Sequence, residues 1–196
     1  MEDLAIMKQT RRWCELGGIA LAVGALAMAA APAAAATSAS EVVSAGTLAF
    51  VATPGNMTFP GITLNGTNQT ESTSETLDIG DNTGSNAGWQ VDLTSTAFTN
   101  GTASLADTAT TVQSAPPTPT CDSGVTCTVA TNTITSYPYT VPAAATAPTA
   151  TPLLSAAVNT GMANQSTSPT FTLALPANTP AGTYTSTWTF SLVSGP

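Results

Sequence analysis

Residues 173–196 read LALPANTPAGTYTSTWTFSLVSGP, and from Gly182 onward every second residue changes character. Tyr184, Ser186, Trp188, Phe190 and Leu192 fall on one face, and Thr183, Thr185, Thr187, Thr189 and Ser191 on the other. A two-residue period with aromatics on one side and hydroxyls on the other predicts a strand that covers a core and keeps one face wet. The β-branched threonines favour the same extended backbone. Ahead of it, Asn178 to Gly182 carries the Pro and Gly that reverse a chain, and Phe171, Leu173 and Leu175 alternate before that turn. The pattern predicts a terminal hairpin whose second strand brings Trp188 toward the core.

A second stretch follows the same rule. Gly88 to Phe98 (GWQVDLTSTAF) places Trp89, Val91, Leu93 and Ala97 on one face and Asp92 on the other. Other apolar runs recur between turn residues: 47–52, 59–64, 75–79, 105–112, 125–139, 153–158 and 169–175. Residues 67–74 read as a polar loop, and 138–152 as an irregular Ala/Thr/Pro crossing over the surface. The three prolines of 115–119 exclude a central strand there. The fold class predicted is all-β: a single antiparallel β-sandwich of roughly nine or ten short strands.

Residues 1–36 read as a cleaved signal peptide and 37–196 as one domain. Lys8, Arg11 and Arg12 form a basic start, 17–31 is a short weakly apolar run, and Ala34-Ala35-Ala36 gives a small-x-small cleavage pattern before Thr37. Cys14 precedes the apolar run, so it has no role as a lipid attachment site. The expected location is therefore secreted, at the cell surface and wall.

Removing that leader transforms the charge. All three basic residues lie in it, with three of the eleven carboxylates; eight carboxylates remain, and no Lys, Arg or His. Nucleic-acid binding needs cations to displace phosphate counterions, so no nucleic-acid partner is expected. Anionic membrane surfaces are excluded on the same ground. A serine-type nucleophile lacks its His or Lys base, and the usual zinc ligands are missing. Asp78, Asp81, Asn82 and Asn86 cluster in one region, but their spacing is not that of a helical calcium loop and turn chemistry accounts for them. Neither catalysis nor a metal or cofactor is expected. Leu175 to Thr179 (LPANT) has the letters of a sorting signal, yet lies inside the domain.

Cys121 and Cys127, with five residues between them, are the cysteines left after the leader. In an exported chain they predict a disulfide closing a small loop, contributing about 2–2.5 kcal/mol in the chain-entropy model.

Two Trp-bearing strands, with LDIGDNTG at 77–84, Gly88-Trp89 and the AGTYTSTWTFSL ending, resemble the paired motifs of the WxL family of Gram-positive cell-surface domains. Here the motif positions read Trp89-Gln90-Val91 and Trp188-Thr189-Phe190, neither ending in Leu. The resemblance implies noncovalent attachment to peptidoglycan or to a companion surface protein, with Trp89, Val91, Trp188 and Phe190 as the motif residues. Two readings of the tryptophans stand side by side: core residues of a sandwich, as the alternation predicts, or platforms that stack on sugar rings. A different class of function, a pilin-like or matrix fibre subunit that self-associates by strand addition at a sheet edge, is the alternative.

Overall fold

The computed structural model describes residues 37–195, and these contain strands and no helix. The leader, with Cys14 and the three basic residues, lies outside the described residues. In chain order the strands are β1 (Leu48–Ala52), β2 (Gln69–Ser74), β3 (Leu77–Asp81), β4 (Trp89–Thr96), β5 (Thr110–Val112) and β6 (Thr120–Cys121). Then come β7 (Tyr139–Thr140), β8 (Ala143–Ala144), β9 (Thr151–Ala156), β10 (Ala163–Thr167), β11 (Thr170–Leu175) and β12 (Trp188–Ser194). The all-β class holds. The strand number exceeds the expected one because β6, β7 and β8 are two-residue pieces.

Three four-stranded groupings are organised by hydrogen bonding: β1-β3-β10-β6, β2-β11-β5-β7, and β4 flanked by β12 on one side and by β8 and β9 on the other. Every pairing is antiparallel except the short β4–β8 contact. The first two groupings are joined by one long ribbon. Gln69 faces Leu175, Ser74 faces Thr170, Leu77 faces Thr167 and Asp81 faces Ala163, so the register never slips. Between the two sheets the ribbon is carried by the Glu75 N–H on the Pro169 carbonyl (3.2 Å) and by Thr76 and Ser168 hydroxyls at 3.1 Å.

β4 is the middle of its sheet and supplies Trp89, Val91 and Leu93 to the core, all with no exposed surface. Leu77, Ile79 and Phe171 on the ribbon meet them, and Leu153 and Leu154 on β9 close the cluster. Trp89 sits in a fitted slot. Its ring N–H donates to the Gly161 carbonyl at 2.9 Å, which satisfies the one polar atom of a sealed indole. Gly161 has φ of +79°, and a Cβ there would come within 2.5 Å of both the Trp89 ring nitrogen and the Ala156 methyl. Only glycine fits.

Several sequence expectations are corrected. The terminal hairpin does not form: β11 is flanked by β2 and β5, so both of its edges are occupied, and β12 joins β4 in a different sheet. Residues 67–74, expected as a loop, contain β2, and β10 forms in a polar run that had no strand signal. Tertiary pairing decides both, because each polar strand completes the ladder of an apolar neighbour. The apolar run at 59–64 is not a strand; Pro60 lacks the donor that a ladder requires. Residues 182–187 alternate in exposure as expected but form no full ladder: Thr185 bridges Thr99, and the Thr187 carbonyl accepts from the Thr96 N–H at 2.8 Å.

Cys121 and Cys127 form the expected disulfide, with Cα atoms 5.5 Å apart. The loop they close is fixed to β10 by the Gln165–Cys121 pair and by the Asp122 N–H on the Asn164 carbonyl. Asp81 is buried and accepts hydrogen bonds from the Thr83 N–H and hydroxyl at 3.1 and 2.7 Å, shaping the turn toward β4. That is the turn chemistry its residue type predicts.

Candidate functional site

One open groove of about 1230 Å3 stands out among the described residues. Its floor is apolar: Phe98, Leu105, Leu173 and Leu175. One wall is the segment from Thr179 to Phe190, and the other is an arm from Thr53 to Leu64. Of the charged residues only Glu71 reaches its lining.

The first wall follows from the terminal alternation. Register sets Trp188 opposite Ser95, Phe190 opposite Leu93 and Leu192 opposite Val91. All three apolar side chains are half-buried rather than sealed, since β12 is an edge strand whose inner face lies over the groove. Trp188 meets the buried Phe171 edge to face, with ring centres 5.0 Å apart and planes at 73°. Phe190 approaches the same ring at 6.3 Å. Such contacts fix the indole while leaving part of it uncovered. Thr183, Thr185, Thr187 and Thr189 are exposed beside it. The wall thus combines aromatic surface with a row of hydroxyls.

The arm is built differently. Among the described residues, 53–64 makes no backbone-to-backbone hydrogen bond. Three side chains hold its main chain: Glu75 accepts from the Gly55 N–H at 2.5 Å, the Thr73 hydroxyl donates to the Thr58 carbonyl at 3.0 Å, and the Gln69 amide donates to the Thr63 carbonyl at 3.2 Å. The arm therefore runs alongside β2 and shields its edge without joining the sheet. Half-buried Met57 and Phe59 pin it from below, Phe59 meeting Phe98 edge to face at 5.8 Å.

Burial divides the four motif residues. Trp89 and Val91 have no exposed surface, whereas Trp188 and Phe190 line the groove. Asp92 points away from the core face, where the Gln90 amide donates to it at 2.6 Å. Sequence reading missed the arm and Phe98, because a groove made by segments far apart in the chain leaves no local pattern. Tyr184 was legible as an inward aromatic but not as a groove residue.

Electrostatics distinguish one further place. Asp78 on β3 has its carboxyl pKa raised above the ordinary 3.8, first by burial and then by the negative charge of Asp122 on the disulfide loop. No cation exists in 37–196 to offset either carboxylate. The folded state holds the Asp78 proton more tightly than the unfolded chain does, so protonation favours folding. Stability from this group is lowest at neutral pH, rises as pH falls through the raised value, and stops rising below the ordinary one. As pH falls through that raised value, the melting temperature is expected to rise. Asp78→Asn should remove most of that rise; melting curves across the acid range check both.

The sequence from residue 33 to residue 196 matches a family model described as WxL domain, surface cell wall-binding. Comparison with curated proteins and with solved structures finds no match. The matched span takes in all twelve strands, both Trp-bearing strands and both walls of the groove, and the chain belongs to the WxL-domain family of surface, cell wall-binding domains.

Proposed function

We propose that the chain is exported, begins at Thr37 after cleavage, and attaches noncovalently to the glycan of peptidoglycan through the groove beside Trp188, without catalysis. The observation that carries this reading is the lining itself: half-buried Trp188 and Phe190 next to exposed threonine hydroxyls, with no Lys, Arg or His anywhere in 37–196. A sugar ring offers an apolar face to an aromatic side chain and hydroxyls at its rim, which is the pairing this wall provides. Trp89 and Val91 serve attachment by holding β4, against which β12 is aligned. A companion surface protein is the other partner, and the edge of β12 favours it, since an edge strand takes an added strand.

The charge makes this attachment unusual in its response to salt. Eight side-chain carboxylates with no basic side chain repel the anionic polymers of a wall. Raising salt from about 0.01 M to 0.15 M shortens the screening length from about 30 Å to 8 Å. Binding to intact wall sacculi is expected to strengthen over that range, and stripping the anionic polymers should remove the salt dependence. Sedimentation of the domain with both kinds of sacculi measures it. Binding that weakens with salt would sink the apolar reading, and absence of binding with retained self-association would favour strand addition.

A further inference from the structure

Tyr184 occupies a position that the attachment reading does not use. It lines the large groove and also a second, smaller cavity of about 190 Å3, formed with Ser104, Ala106, Pro176 and Asn178. Leu105, Thr179 and Pro180 are likewise common to both, so the two spaces adjoin along one line with the Tyr184 ring at their junction. The ring is held there: its hydroxyl donates to the Pro180 carbonyl at 3.0 Å, and its body rests with Phe98 against Leu105 and Leu173. Part of it stays uncovered. Neither space carries a cation, and the smaller has no charged residue at all.

Resting on the glycan reading of the groove, we infer that Tyr184 is a saddle across which an unbranched, uncharged N-acetylated glycan runs, with one terminal sugar in the smaller cavity. A single sugar bound at Trp188 would gain nothing from a second space beyond Tyr184. A chain long enough to cross the ring gains a further stacking contact and the polar atoms of Ser104 and Asn178. The site is therefore a reader of chain length.

Soluble N-acetylglucosamine oligomers, from the dimer to the hexamer, test this by calorimetry against the whole exported domain. The wild-type protein should bind the longer oligomers more tightly, with a step where the chain first crosses Tyr184. Tyr184→Ala should abolish that step, weakening the longest oligomer about tenfold and the dimer much less. Tyr184→Phe keeps the ring and should keep the step. Melting curves of both variants separate a lost contact from a lost fold. Wild-type binding without a step, or a step that survives Tyr184→Ala in a folded protein, overturns the saddle but leaves the groove reading intact. No binding of any oligomer or of sacculi by the wild type overturns the groove reading, and the saddle with it.

Discussion

Replacing Trp89 by Ala is expected to destabilise the domain by about 3–5 kcal/mol, the range for emptying a sealed aromatic site. The indole has no exposed surface, and its removal also strands the Gly161 carbonyl, which accepts its ring N–H. An unsatisfied buried acceptor adds to the cavity cost. For a domain of this size the melting temperature should fall by about 6–20 °C. Wall binding would fall with it, in step with the folded fraction. The slot is tight on the glycine side, where an added Cβ at Gly161 would lie 2.5 Å from both the indole nitrogen and the Ala156 methyl. Trp89→Phe restores part of the ring volume but not the donor, so thermal melting should place it between the two. A Trp89→Ala protein that melts within about 2 °C of the wild type would mean that the slot is not a supporting element.

Trp188→Ala is expected to do the opposite. This side chain is partly buried, so truncation should cost less than a sealed site does, about 2–4 kcal/mol. The fold has other support along β12, where Phe190 and Leu192 still face Leu93 and Val91. On the proposed reading attachment loses its largest aromatic contact, and affinity for sacculi should drop at least about tenfold at a temperature where the protein is fully folded. Thermal unfolding and sacculus binding measured on the same two variants separate the roles. Equal losses of stability in both would merge Trp188 into the core; unchanged binding in folded Trp188→Ala would remove it from the contact surface.

The two tryptophans also mark how far the chain could be read before its fold was known. Both carry the same two-residue alternation, and both strands form in pairing register with each other. What alternation cannot give is the depth of each face. β4 is covered on both sides by neighbours and is sealed, whereas β12 is an edge, so an identical local pattern leaves Trp188 half open. Polar strands were invisible for a related reason. The QTESTS of β2 and the ANQST of β10 have threonine as their one strand former and no apolar alternation; they extend because β11 and β3 beside them need ladder partners. The arm misled in the other direction. Phe59, Ile62 and Leu64 look like an apolar strand, but Pro60 and Gly61 interrupt it and leave it held by side chains alone. The disulfide was readable from spacing because a short loop restricts where its ends can go.

The unslipped ribbon has a bearing on how such a domain tolerates change over evolutionary time. Residues 69–81 and 163–175 face each other pair by pair across the bend that joins two sheets. One residue gained or lost on either side would turn every later side chain to the wrong face, in both sheets at once. Length variation is barred from those two stretches, however freely their polar letters drift. Residues 145–149, which are exposed and belong to no strand, face no such constraint. Insertions can accumulate there while the ribbon keeps its count, so it is by spacing more than by spelling that descendants of this chain would be known.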